Sequence, residues 1–149
     1  MVDQERLTEK QATALREELS ELEGPRREQV VAAIKTAREF GDLSENFEYH
    51  AAKNEQGLLE ARIRTLRARL DLAEIVEDAG PDAVGIGSVV DIAGDGGQAM
   101  TVEISAVGGT GTVSPTSPLG SALLGKRVGE SVDVQAPKGS WRATIQLIH

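Results

Sequence analysis

Residues 39–49 read EFGDLSENFEY and lie between two longer runs with helical spacing. This segment holds four carboxylates, Glu39, Asp42, Glu45 and Glu48. An aspartate followed three residues later by a glutamate is typical of a helix N-terminus, where a capping box forms and acids complement the helix dipole. The same two acids could instead hold a divalent cation at the end of a helical arm. A turn with two acids would bind Mg²⁺ poorly by itself, because this ion prefers six oxygen ligands.

The runs on either side of this segment predict an antiparallel helical hairpin. Aliphatic residues recur in both runs at spacings that fit a coiled-coil seam, with alternating steps of four and three in the second run. They are Leu15, Leu19, Leu22, Val30, Ile34 and Ala37 in the first run, and Leu59, Ile63, Leu66, Leu70 and Ala73 in the second. The break at residues 40–46 allows the second run to fold back on the first. Because proline removes a helical hydrogen bond, we expect a kink or a break at Gly24-Pro25, with Pro25 starting a new helical segment.

Composition divides the chain near residues 78–82, DAGPD. The part before this point holds 12 of the 16 Lys and Arg and 18 of the 24 Asp and Glu, whereas most of the glycines follow it. Charged helices therefore precede strands and turns. We predict a hairpin domain at 1–78 with an acidic tip at 41–46, a linker at 79–84 and a second domain at 85–149.

The second half shows the alternation of apolar and polar residues that is typical of β-strands. Strands are predicted at 88–93, 99–107, 131–135 and 141–148, with turns at 94–97 and 137–139. Between them, SPLGSALLG at 117–125 predicts one short helix. Ser117 would be its N-cap, Pro118 its first residue and Gly125 its terminator. The expected fold class is α+β, with a helical hairpin followed by a small antiparallel sheet that carries one helix.

Composition also excludes several classes of protein. The formal net charge of −8 argues against a general affinity for nucleic-acid backbones or anionic membranes. The absence of cysteine excludes disulfides, thiolate zinc sites and thiol nucleophiles, and it fits a reducing compartment. The polar N-terminus is unlike a signal peptide, and no apolar run approaches the roughly 20 residues that span a bilayer. We therefore expect a cytoplasmic protein without a membrane partner.

The run AREFGDLSENFEYHAAK at 37–53 closely resembles the tip and second arm of bacterial transcription elongation factors of the GreA/GreB family, GreA type. EQ at 55–56 and EARI at 60–63 extend the similarity along the second arm. SPTSPLGSALLGKRVGE at 114–130 also resembles the family. The similarity covers nearly the whole chain, and GDLSEN-x-EY-x-AAK is a long and specific motif.

This resemblance implies a coiled-coil hairpin followed by an FKBP-like domain. The second domain would dock on bacterial RNA polymerase at the rim of its secondary channel, and the hairpin would enter the channel. There the tip would help to hold Mg²⁺ and a water molecule while the polymerase cleaves the 3′ end of backtracked nascent RNA. A factor of this kind is not a complete enzyme but an activator of the polymerase, and we expect a monomer.

The resemblance also assigns roles to single residues. Asp42 and Glu45 match the two tip acids, which would hold Mg²⁺ jointly with the polymerase. The remaining assignments are Arg38 and Lys53 for RNA contact, Ser44, Asn46 and Tyr49 for support of the tip, and Ser117, Pro118 and Leu119 for docking on the polymerase. Tyr49 would also orient the acids through its hydroxyl. Independently of the resemblance, Phe47 and Tyr49 are expected to pack at the tip, with Phe40 joining them in a cluster that fixes the turn.

Three departures from the family pattern keep alternatives open. Phe47 replaces a small residue, the connection at 107–112 is short and rich in glycine, and the second half has few acids. The main alternative is a paralogue that occupies the channel and inhibits or modulates transcription without efficient cleavage, although the intact DLSE at 42–45 argues against it. A second alternative is an FKBP-like prolyl isomerase with a helical handle. Such an enzyme lines its pocket with aromatic rings, and this pocket cannot be built because the second half has only Trp141. A third alternative is a plain coiled-coil adaptor, which would not need the acidic tip, so replacing Asp42 by alanine would leave its activity intact.

Overall fold

A computed structural model describes residues 3–42 and 45–149 of the chain. The chain forms two compact units. The helical hairpin consists mainly of Thr13–Leu72, and the sheet unit combines Glu5–Ala12 with Ala73–His149. A short N-terminal segment is thus grouped with the C-terminal half. The limits 1–78, 79–84 and 85–149 stay a prediction.

Two helical arms build the hairpin, as the seam predicts. The first arm contains α1 (Glu9–Glu21), a π-helical turn (Leu22–Arg26) and α2 (Arg27–Arg38), and the second arm is α3 (Phe47–Leu72). The hairpin core consists of Val30, Ile34, Ala52, Leu59 and Ile63, with Leu19, Leu22 and Tyr49 packed against it. Within each arm its successive members are four or seven residues apart, so each arm buries one stripe of its surface.

Pro25 lies inside the π-helical turn, so the prediction that it starts a new helical segment is wrong. Glu21, Arg26 and Arg27 all keep right-handed helical backbone angles, and the helical path continues through the turn. The Arg27 N–H donates to the Leu22 carbonyl five residues back, which is the hydrogen-bond pattern of a π-helix. The wider turn accommodates a residue without an N–H, and α2 begins two residues later.

Ion pairs join the two arms on the hairpin surface. The Arg27 guanidinium donates to both carboxylate oxygens of Glu60, at 2.8 and 3.0 Å, and this bonding raises the pKa of Arg27. Arg62 donates to both oxygens of Glu18 at 2.9 and 3.0 Å. Further pairs join Arg26 with Glu55 and Arg67 with Glu23. Exposed pairs of this kind contribute little net stability, so the buried seam supplies most of it.

Gly57 lies within α3, and a Cβ placed on it would meet no atom within 4 Å. Gly57→Ala is therefore expected to raise the free energy of unfolding by about 0.8–1 kcal/mol, because alanine loses less backbone entropy in a helix. Urea denaturation followed by circular dichroism measures this change. Gly41→Ala is the control with the opposite sign. Gly41 has φ +102°, and left-handed backbone costs other residues about 1–2 kcal/mol. An unchanged or lower stability of Gly57→Ala would contradict the prediction.

The sheet unit contains a five-stranded sheet and one short helix. The strands are β3 (Val89–Ala93), β4 (Ala99–Ile104), β5 (Thr112–Val113), β6 (Ser131–Ala136) and β7 (Gly139–Ile148), in the order β5-β4-β3-β7-β6. Three pairings are antiparallel, and the short β5 pairs with β4 in parallel. Together with the hairpin, this arrangement confirms the predicted α+β fold class.

Alternation along the strands places one face of the sheet in the core. Val90 and Ile92 of β3 are fully buried, and their cross-strand partners include Val102 and Ile145. Trp141 of β7 is half-buried and packs against this core. Since a strand alternates its side chains with a period of two, the SVVDIA run determines which residues face inwards.

The short helix α4 (Pro118–Leu123) confirms the prediction for its ends. The Ser117 hydroxyl accepts a hydrogen bond from the Gly120 N–H at 3.1 Å, and Pro118 is the first helical residue. Gly125 has φ +79° directly after the C-cap Leu124. All these contacts lie within a few residues of one another, so the local sequence was enough to predict them.

A parallel pair of three-residue strands, β1 (Arg6–Thr8) and β2 (Glu74–Val76), was not predicted, because strands this short show no periodicity. Thr8 and Gln11 form a buried capping box at the start of α1, with the Thr8 hydroxyl accepting from the Gln11 N–H and the Gln11 side chain accepting from the Thr8 N–H. The Gln11 amide also donates to the Ile104 carbonyl of β4 at 3.0 Å.

In residues 3–42 and 45–149, no helix has both the length and the apolarity that a membrane crossing requires.

Candidate functional site

The turn between α2 and α3 is closed by polar contacts of one amide side chain. Asn46 Nδ2 donates to the Ala37 carbonyl near the end of α2, at 2.7 Å. Asn46 Oδ1 accepts from the Tyr49 N–H in the first turn of α3, at 3.0 Å. Asn46 is thus the N-cap of α3 and also a tie between the arms. The prediction of an N-cap at Asp42 does not hold for α3, which starts only at Phe47.

The hydrogen-bond pattern at the end of α2 tightens to that of a 3₁₀ turn before the chain reverses. The N–H groups of Glu39, Phe40 and Gly41 each donate to the carbonyl three residues back, at 3.1 to 3.4 Å. Such bonds satisfy carbonyls that the end of a helix leaves open. Gly41 then takes a positive φ, which turns the chain towards the tip.

Asp42 and Glu45 are both exposed and line one open depression of about 500 Å³ at the tip. The other lining residues are Phe40, Asn46, Phe47 and Glu48. The structure thus brings the two predicted tip acids to the same depression. Ser44, which was predicted to support the tip, lies outside the described residues.

The donor set of this depression fits a hard cation only in part. Carboxylate oxygens are the ligands that Mg²⁺ prefers, and both acids are accessible. In the part of the chain that the structure describes, however, no three His, Asp or Glu side chains are grouped closely enough to hold a metal ion. Asp42 and Glu45 by themselves therefore supply fewer oxygen ligands than the six that Mg²⁺ prefers.

Phe40 and Phe47 do not pack as predicted. Phe47 is 90% exposed and Phe40 is 68% exposed. The turn is closed by the hydrogen bonds of Asn46, so it does not depend on an aromatic cluster. This exposure was not predicted from the sequence. The replacement of a small residue by Phe47 was the signal that could have drawn attention to it.

Tyr49 lies below the tip and is half-buried against the hairpin core. The Arg38 guanidinium carbon lies 5.9 Å from the centroid of its ring, and the His50 ring meets it edge-on at 5.6 Å. A cation over an aromatic face is attracted to it, so Tyr49 helps to position Arg38. An orienting bond from the Tyr49 hydroxyl to the acids stays a prediction.

The remaining predicted site residues lie in two places. Lys53 is exposed on the second arm and donates to Gln56 Oε1 at 3.0 Å, and Arg38 is exposed on the first arm. Ser117, Pro118 and Leu119 form the start of α4 in the sheet unit. The RNA contacts and the docking role of these residues stay predictions.

Asn46→Ala is expected to lower the free energy of unfolding by about 1–2 kcal/mol, because it removes both the cap and the tie. Asn46→Asp keeps the acceptor for the Tyr49 N–H but replaces the donor to the Ala37 carbonyl by a charged acceptor, so the tie between the arms is lost. Urea denaturation measures the stabilities, and hydrogen exchange measures protection of the Tyr49 amide. We expect Asn46→Asp to keep this protection and Asn46→Ala to lose it. Equal protection in Asn46→Ala and the unchanged protein would show that the cap is dispensable.

Comparisons with known proteins agree with this architecture. The family model described as "Transcription elongation factor, N-terminal" matches residues 5–75, and "Transcription elongation factor, GreA/GreB, C-term" matches residues 79–149. The transcription elongation factor GreA of Streptococcus sanguinis strain SK36 is 40% identical over 146 residues, which cover 93% of this chain and 91% of that protein. GreA of Streptococcus gordonii strain Challis is 42% identical over 138 residues, covering 88% and 86%. A solved structure of the transcription factor Gfh1 is 29% identical, covers 100% of this chain and 99% of its own, and has a TM-score of 0.50.

Proposed function

Because this chain belongs to the GreA/GreB family of transcription elongation factors, we propose that it is a transcript cleavage factor of the GreA type. It binds bacterial RNA polymerase in the cytoplasm as a monomer, and its hairpin enters the secondary channel. There it stimulates Mg²⁺-dependent cleavage of the 3′ end of backtracked RNA, which rescues arrested elongation complexes.

The observation that carries this proposal is the exposure of Asp42 and Glu45 in one depression at the end of the hairpin. Both acids lie between the end of α2 and the capped start of α3, where Asn46 ties the two arms together. A carboxylate can act as a metal ligand for a partner only if it is accessible and held in position. The tip meets the first condition through exposure and the second through the Asn46 contacts.

In this proposal, Asp42 and Glu45 supply oxygen ligands that the polymerase active centre lacks. When bound there, Mg²⁺ activates a water molecule and offsets the charge that develops on the phosphate. The chain itself orients the two carboxylates and delivers them. It is therefore an activator of the polymerase and not a complete enzyme.

Other predicted residues have supporting roles in this proposal. Arg38 and Lys53 contact the phosphates of the displaced RNA, since both are exposed cations on arms that meet at the tip. Arg38 is held against Tyr49, which limits its freedom before binding. Ser117, Pro118 and Leu119 dock the sheet unit on the polymerase, and the Ser117 cap keeps this segment in shape.

The test uses stalled elongation complexes of the cognate polymerase, with RNA labelled at its 3′ end. Addition of the protein with Mg²⁺ is expected to release short 3′ fragments and to restore elongation on addition of nucleotides. Omission of Mg²⁺ should abolish the release. If no fragments appear and nucleotide addition becomes slower, the protein is a paralogue that occupies the channel without cleavage, and the proposal is wrong.

A further inference from the structure

Both phenylalanines of this chain are exposed at the hairpin tip. Phe47 and Phe40 are the two most exposed large apolar side chains in the described part of the chain, at 90% and 68%. The chain has only four aromatic side chains, and Trp141 and Tyr49 pack against the two cores. Single exposed apolar residues are common on proteins, but here two exposed aromatic rings line one depression.

Phe47 is carried by a restrained part of the backbone. It is the first residue of α3 and directly follows Asn46, whose side chain bonds to both arms. The backbone that carries the ring is therefore restrained, although the ring itself is exposed. Phe47 lines the same depression as Asp42 and Glu45.

The charges around the ring restrict what can cover it. Asp42, Glu45 and Glu48 line the depression, so a phosphate would be repelled there unless a cation came between them. A nucleobase is neutral and planar, and every base can stack on an aromatic ring. The depression of about 500 Å³ is open to solvent, so a base can reach the rings from outside.

We propose that Phe47, together with Phe40, stacks on the nucleobase of a displaced nucleotide at the RNA 3′ end and so positions the neighbouring phosphate beside the tip acids. This inference rests on the proposed function, which brings unpaired RNA to the tip. It gives the substrate a second point of contact besides the metal. Phe47 is thus a positioning residue for the cleavage reaction.

Two variants of Phe47 distinguish stacking on an aromatic face from a general apolar contact. Phe47→Leu keeps an apolar side chain and a good helix former at the start of α3 but removes the flat aromatic face. Phe47→Trp keeps that face. We expect Phe47→Leu to lower the rate of stimulated cleavage by about 5- to 150-fold, which corresponds to roughly 1–3 kcal/mol of base stacking, and Phe47→Trp to restore it.

A direct readout does not depend on cleavage. Stalled complexes carry 2-aminopurine as the displaced 3′ nucleotide, and Asp42→Asn and Glu45→Gln are introduced so that the RNA stays intact. Addition of this double variant is expected to quench the 2-aminopurine fluorescence by stacking. The same protein with Phe47→Leu should leave the emission unchanged, and the same protein with Phe47→Trp should quench it.

Three outcomes would overturn the inference. They are equal quenching with phenylalanine and leucine, no quenching with either, and a loss of affinity for polymerase without RNA when Phe47 is replaced by leucine. The last result would mean that the ring occupies an apolar pocket of the polymerase instead of contacting RNA. If quenching depends on the aromatic face but the unchanged protein releases no RNA fragments, stacking stands and the proposed cleavage function fails.

Discussion

Replacing Asp42 by asparagine and Glu45 by glutamine together is expected to abolish stimulated transcript cleavage while binding to polymerase persists. Each replacement keeps the size of the side chain and removes the charge that a Mg²⁺ ligand needs. Loss of residues that merely support metal ligands already lowers activity by roughly 10- to 100-fold, so loss of two ligands should cost at least about 100-fold. The measurement is the rate of 3′ fragment release at saturating protein, with affinity for polymerase determined separately.

The matched control removes two charges on the first arm, outside the lining of the depression. Glu39 is the C-cap of α2 and Glu28 lies in the first turn of the same helix, so Glu39→Gln with Glu28→Gln changes the net charge by the same amount. Its effect should be limited to helix-dipole terms of about 0.3–1 kcal/mol in stability. If this control reduces cleavage as much as the double variant at Asp42 and Glu45, the loss of cleavage comes from the loss of negative charge in general and not from the loss of metal ligands.

Gly120→Ala is expected to destabilise the sheet unit by about 3 kcal/mol or more, the upper end of what overpacking a close contact costs. Gly120 is buried in α4, and a Cβ placed on it would lie 1.9 Å from the Ser114 carbonyl oxygen. That oxygen belongs to the backbone and accepts a 2.6 Å hydrogen bond from the Ser117 hydroxyl. Relief of the clash would therefore have to displace the cap of α4 as well.

Urea denaturation measures this loss, and Ser121→Ala is the control on the same helix. Ser121 is exposed, and its hydroxyl donates only a 3.3 Å bond to the Pro118 carbonyl, so its replacement should change stability by less than about 0.5 kcal/mol. Because Ser117, Pro118 and Leu119 are proposed to dock on polymerase, Gly120→Ala should also weaken binding. A Gly120→Ala protein as stable as the Ser121→Ala protein would show that residues 114–117 can move away at little cost.

Much of the fold could be predicted from the sequence because its signals are local. The three- and four-residue steps of Val30, Ile34 and Ala37 specify a helical stripe, and the alternation in SVVDIA specifies a strand face. The ends of α4 follow from Ser117, Pro118 and Gly125, whose partners lie within a few residues. The family motif at the tip could also be recognised from the sequence, since it is a continuous run that includes Asp42 and Glu45.

The remaining features depend on residues that only folding brings together. Asn46 could be read as a helix cap, but its bond to the Ala37 carbonyl exists only once the arms are paired. Gln11 donates to Ile104 across 93 positions of sequence, which no local pattern predicts.

The sequence by itself determined the helical hairpin, the alternating strands and the acids at the tip, because periodicity and caps act over three or four residues. The tertiary structure alone decided that Phe47 is exposed and that Gly120 has no room for a side chain. The physical reason is that exposure and close approach depend on what the rest of the chain places nearby. A sequence pattern predicts a buried position for a phenylalanine, and only the folded structure shows whether other residues cover its ring.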